Sequence, residues 1–139
     1  DLLGKYRITG VLGEGAMGIV YKGFDPDIRR EVAIKTMRVA ADADAGQGVS
    51  YADRFRNEAQ AAGRLQHPGI VAVYDFGRDA GVDYIAMEYV HGPSLRGVLE
   101  TCLTRQLPVS PRVAVQWVIE GLDALHHAQA VAMHHRAFE

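Results

Sequence analysis

The 139 residues predict an α+β fold: five strands with one helix among them, followed by helices alone. Two observations carry that prediction. Residues 5–38 and 70–90 contain short runs of β-branched and aromatic side chains broken by glycine, proline and aspartate. Residues 50–65 and 110–127 instead repeat apolar side chains at helical spacing. His91-Gly92-Pro93 interrupts the pattern and places a boundary near residues 91–94.

The elements follow in order. Tyr6, Ile8 and Val11 carry the first strand, Ile19, Val20 and Tyr21 begin the second, and Val32, Ile34 and Met37 mark the third. Asp25-Pro26-Asp27 predicts the turn before the third strand, because proline presets φ and aspartate bonds nearby backbone. Residues 40–49 are a small-residue loop. Ser50 with Asp53 gives a capping signal, and Phe55, Ala59, Ala62 and Leu65 give one helix, which stops before His67-Pro68-Gly69. Ile70 to Phe76 and Val82 to Val90 read as the last two strands, with a turn over Gly77 to Gly81. Ser94 would cap a short helix through Glu100. Ser110-Pro111 would start a longer one, to about His127, with Val113, Trp117, Gly121 and Leu125 on an apolar face.

Composition excludes several classes. Fifteen Lys and Arg against seventeen Asp and Glu leave a net charge of −2, so there is no basic field and no nucleic-acid partner is expected. Cys102 is the single cysteine, which rules out an internal disulfide and fits a reducing, cytoplasmic compartment. The apolar runs are too short to span a bilayer, and no charged leader precedes an apolar stretch, so neither membrane segment nor signal peptide is expected.

Gly13-Glu14-Gly15-Ala16-Met17-Gly18 is the first chemical motif. Without Cβ atoms, backbone N–H groups can approach phosphate oxygens closely. The pattern alone also fits an ordinary flexible hairpin. A dinucleotide fold needs a helix next, whereas Ile19-Val20-Tyr21 is strand-like, and the Gly-Lys-Ser/Thr of a P-loop is missing. Lys35, at the end of Val32-Ala33-Ile34-Lys35, is a candidate point charge for phosphate oxygens. Glu58, beside Phe55, Ala59 and Ala62, borders the apolar face of its helix and wants a cation; Lys35 is the natural partner.

Together these residues resemble the protein kinase signature of a glycine loop, V-A-I-K and a helical glutamate. Residues 12–25 and 54–71 resemble bacterial serine/threonine kinases of the eukaryotic-like type. The resemblance implies a kinase N-lobe over residues 5–90, a five-stranded antiparallel sheet with one helix, then the hinge exit and first helices of an incomplete C-lobe over 91–131. It implies ATP held by Leu12, Gly13, Glu14, Gly15, Ala16, Met17, Gly18 and Lys35, the last paired with Glu58. Val20 and Ala33 would flank the adenine, Met87 matches the gatekeeper, and the Glu88 carbonyl with the Val90 N–H and carbonyl would bond the adenine edge. Asp75-Phe76-Gly77 spells the family's magnesium motif but precedes the hinge, so it reads as the end of the fourth strand followed by a turn glycine.

The resemblance breaks near the end. A complete kinase domain is about twice as long and carries H-R-D-x-K-x-x-N, with aspartate as base. Here His135-Arg136 is followed by Ala137, and aligning Met133-His134-His135 with the motif supplies no aspartate either. Residues 132–139 read as a degenerate or truncated tail. The catalytic base and the Mg²⁺ ligands are absent from these residues, although the family uses Mg²⁺ with ATP. His126, His127, His134 and His135 show no i, i+4 pair, so no metal site is expected. The expectation is therefore the ATP-binding portion of a serine/threonine kinase, inactive as this chain, with protein substrates only if a complete C-lobe exists. The alternative is a non-catalytic, pseudokinase-type nucleotide-binding or interaction module. Self-association is expected through an exposed helix face bearing Trp117, Val118, Leu122 and Leu125.

Overall fold

The computed structural model describes residues 1–15, 18–37, 57 and 60–136, with side chains described to residue 131. Its elements are β1 (Leu2–Leu3), β2 (Tyr6–Gly15), β3 (Gly18–Asp25), β4 (Arg30–Thr36), β5 (Val73–Asp79), β6 (Val82–Glu88), α1 (Leu95–Thr104) and α2 (Pro111–Arg136). Asn57 and residues 60–62 are also helical, within the stretch where apolar spacing predicts a helix. The described residues fall into two compact units, one within 1–66 and 71–89, the other within 67–70 and 90–139.

The first unit is an antiparallel sheet in the order β1-β2-β3-β4-β6-β5. The sequence predicts five strands; the sheet has six, because Leu2 and Leu3 pair with Arg7 and Tyr6. Two residues are too few to show a period, so β1 leaves no sequence signal. On one face Tyr6, Val32, Ile34, Tyr84 and Ala86 form a buried cluster, joined by Leu3, Ile8 and Tyr21. Burying an apolar side chain fully contributes about 1.5–3 kcal/mol, and Tyr6, Val32 and Ile34 of this cluster are fully buried. On the other face Met37 and Ile85 pack with Val73, Phe76 and Met87.

The turns follow from local chemistry. Between β3 and β4 the Asp25 carboxylate accepts the Asp27 N–H at 3.0 Å, the predicted aspartate-stabilised turn, and Lys5 bridges both carboxylates at 3.1 Å. Between β5 and β6, Ala80 and Gly81 both take positive φ, as a two-residue hairpin turn requires.

The fourth predicted strand sits three residues later than expected, and the turn is two residues rather than five. Asp75-Phe76-Gly77 therefore lies inside β5 and does not end it. Gly77 is opposite Tyr84, and a Cβ there would come within 2.4 Å of the phenol ring carbon. This glycine makes room for an aromatic ring; it does not make the turn.

In the second unit Ser94 caps α1, its hydroxyl accepting the Gly97 N–H at 3.2 Å, and the helix runs four residues past the expected Glu100. At the start of α2 the Ser110 carbonyl accepts the Ala114 N–H at 3.0 Å. α2 continues to Arg136, past the expected end near His127, so the backbone of residues 128–136 is helical. Among its described side chains Ala124 is the buried one, against Gly69, while the His67 imidazole meets Asp123 at 3.0 Å. Val118, Leu122 and Leu125 are each more than half exposed, as the sequence predicts, whereas Trp117, expected on the same exposed face, is half-buried.

Candidate functional site

Strand register assembles the site. Gly13, Val20, Lys35 and Ile85 form one cross-sheet row, and Lys22, Ala33 and Met87 form the next. Members of the two rows are two residues apart along β3 and β4, so all share one face of the sheet. Val20, Ala33, Lys35 and Met87, far apart in sequence, are thus neighbours because three strands pair in this register.

The turn between β2 and β3 closes with Gly15 opposite Gly18. Gly18 has φ +139, and a Cβ there would lie 2.0 Å from the Thr36 carbonyl oxygen. Glycine is required at that point for both reasons. Gly13 and Gly15 differ: nothing lies within 4 Å of where their Cβ atoms would be. The loop backbone there faces open space. The space is a pocket of about 290 Å³ lined by Gly13, Glu14, Gly15, Gly18, Val20 and Lys35. Lys35 is half-buried and stands between Val20 and Ile85 in the cross-sheet row.

The other candidates are placed as follows. Leu12 lies exposed on β2 just before the pocket. Ala33 is buried and Met87 half-buried in the second row. Glu88 ends β6, where its N–H donates to the Ala72 carbonyl at 2.9 Å and its carboxylate accepts the Ala72 N–H at 3.2 Å. Val90 is exposed and belongs to the second unit. Ala16, Met17 and Glu58, and with it the expected Lys35–Glu58 pair, lie outside the described residues. Among the described residues no group of three His, Cys, Asp or Glu side chains is arranged to hold a metal ion.

Sequence reasoning passed over Lys22. Its ammonium contacts the Glu31 carboxylate at 2.7 Å and stands 4.5 Å from the centre of the Tyr89 ring. The hydrogen bond to Glu31 holds this amine above its ordinary pKa. A lysine in mid-strand has no motif spacing; only the alternation placing it on the face of Val20 could have drawn notice.

The protein kinase domain profile matches residues 6–136. The chain belongs to the protein kinase family. It is 41% identical over 137 residues to a probable serine/threonine-protein kinase of Streptomyces coelicolor, covering 96% of this chain and 19% of that protein. It is 38% identical over 133 residues to the serine/threonine-protein kinase PrkC of Bacillus subtilis, with the same coverages of 96% and 19%. Among crystal structures, the PknI kinase domain of Mycobacterium tuberculosis matches with a TM-score of 0.69 at 31% identity, over 92% of this chain and 49% of that one. The chain spans about a fifth of the length of these curated relatives. Its antiparallel sheet is that of a kinase N-lobe. In this kinase fold Asp75 is engaged by the Tyr6 hydroxyl, which donates to it at 3.0 Å.

Proposed function

We propose that this chain carries the ATP-binding portion of a kinase that transfers the γ-phosphoryl group to serine or threonine hydroxyls of proteins. The observation that carries the reading is the convergence of Gly13, Gly15, Gly18, Val20 and Lys35 on one pocket. The residues fit a polyphosphate. Loop glycines without Cβ atoms leave N–H groups approachable, and a half-buried amine supplies the opposite charge. In this reading residues 13–18 cover the phosphates, Lys35 binds their oxygens, and Glu58 braces Lys35. Val20 and Ala33 flank the adenine, Met87 stands behind it, and the Glu88 carbonyl with the Val90 backbone bonds its edge.

Among the described residues no three His, Cys, Asp or Glu side chains converge where Mg²⁺ could be held. What they can do is orient the triphosphate and neutralise its charge, the main work of phosphoryl transfer. With Ala137 after His135-Arg136, a 139-residue polypeptide of this sequence has no candidate base. It is expected to bind ATP without transferring phosphate. That same departure favours a second reading, a non-catalytic nucleotide-binding or interaction module. A cytoplasmic setting fits both, since ATP is the ligand; among the described residues no helix is long and apolar enough to cross a membrane.

Thermal denaturation with millimolar Mg-ATP should raise the midpoint of the wild-type chain and leave Lys35→Ala unmoved. A folded wild-type sample that shows no shift, and no heat of binding by calorimetry, overturns the reading. Radiolabelled ATP with a generic basic protein should show no transfer. Turnover that Lys35→Ala removes would overturn the inactivity prediction alone.

A further inference from the structure

We infer that Lys22 is a positioning residue for the adenine edge: its ammonium, anchored by Glu31, rests on the Tyr89 ring and holds the backbone between Glu88 and Val90. The inference rests on the nucleotide reading above and deepens it. The Glu88 carbonyl belongs to the peptide group before the Tyr89 Cα, and the Val90 N–H to the peptide group after it. These are two of the three groups assigned to adenine, the third being the Val90 carbonyl, and their relative orientation turns on the Tyr89 φ and ψ. Whatever holds the Tyr89 side chain limits that swing.

The backbone is held on two sides. Glu88 is tied to Ala72 by its N–H and its carboxylate. Tyr89 is met by Lys22, whose ammonium is 4.5 Å from the ring centre, well inside the range of a cation–π contact. Lys22 cannot wander easily, because Glu31 holds it at 2.7 Å and only 30% of its side chain is exposed. Its Cα sits directly opposite Ala33, in the row that continues to Met87. The lysine thus links the wall of the adenine site to its edge without touching the phosphate pocket, whose lining does not include it.

The test is calorimetric titration of the whole chain with Mg-ATP and, separately, with inorganic tripolyphosphate. The variants are wild type, Lys22→Met, Lys22→Arg, Tyr89→Leu and the double Lys22→Met/Tyr89→Leu. Lys22→Met should weaken ATP about two- to five-fold, the range of a partly exposed cation–π contact, and leave tripolyphosphate unchanged. Lys22→Arg should restore ATP affinity, since a guanidinium also stacks on aromatic rings. The double variant should be no weaker than Tyr89→Leu alone, because both changes remove one contact. As a readout without nucleotide, amide exchange at Val90 should quicken in Lys22→Met. Equal loss of ATP and tripolyphosphate affinity would make Lys22 a mere source of charge and overturn the inference. So would wild-type ATP affinity in Lys22→Met, or additive losses in the double variant. Failure of wild type to bind ATP would remove the nucleotide reading itself, and this inference with it.

Discussion

Gly15 and Gly18 belong to one motif but do different work. Gly18 has positive φ and no room for a methyl group beside Thr36, whereas Gly15 faces open space. Gly18→Ala should lose at least about 2 kcal/mol in denaturant unfolding, since strain and collision add. Gly15→Ala should leave folding within about 0.5 kcal/mol and show its effect in ATP affinity instead. Equal stability of the two variants would contradict the assignment. Asp25 makes a separate case. It is only 2% exposed. Burial by itself pushes its carboxyl up, yet hydrogen bonds from Lys5 and from the Asp27 and Ile28 backbone hold it below the ordinary value. Its stabilising contribution is therefore full above about pH 4, the unfolded value, and disappears as pH falls through the lower folded one. Asp25→Asn should be less stable at neutral pH and show a flatter acid limb of its stability curve; an unchanged limb would refute this. The motif glycines and Lys35 were legible because chemistry dictates their spacing. Lys22 was not, because its partners Glu31 and Tyr89 meet it only after three strands pair.

At the level of elements, β4 and β6 were legible from their β-branched and aromatic runs, and α1 and α2 from Ser94 and Ser110-Pro111. β5 was misplaced because Tyr74 to Asp79 contains Asp75, Gly77, Arg78 and Asp79, all poor or indifferent strand formers. Pairing with β6 overrides that preference. Asp75 is used by Tyr6, Asp79 accepts the Gly4 N–H at 2.8 Å, and Asp83 faces Arg78 at 3.5 Å. Tyr84 explains the rest. Its phenol end occupies the space where Gly4 and Gly77 would each carry a Cβ. Gly77→Ala should expel the ring and destabilise the sheet by about 1–3 kcal/mol, seen in urea unfolding with an altered near-ultraviolet tyrosine signal. An alanine variant with wild-type stability and signal would show that the ring does not need this slot. Tyr6 stands edge-on to Tyr84, ring centres 5.9 Å apart. Tyr6→Phe should keep the packing and lose about 1 kcal/mol with the Asp75 hydrogen bond.

Across the whole molecule, the sheet unit has two packed faces, whereas α2 offers Val115, Val118, Ile119, Leu122 and Leu125 to solvent, each more than half exposed. Apolar surface on that scale drives association. Sedimentation velocity should show mass rising with concentration, and Val118→Lys with Leu122→Lys should return the chain to a monomer at equal helix content. A wild-type monomer at high micromolar concentration would count against it. The helical face and its exposure were legible from spacing; the half-burial of Trp117 was not, since periodicity tells which residues align but not what each one meets.

The family match begins at residue 6, while Leu2, Leu3, Gly4 and Lys5 precede it. Those four residues add an outer strand, supply the donor for Asp79 and give Asp25 its counter-charge. Anyone trimming the polypeptide to the homology limit would strip a clasp from the back of the sheet. The shortened protein should melt earlier, by a margin widest near neutral pH and narrower in acid, though every motif letter would still be in place.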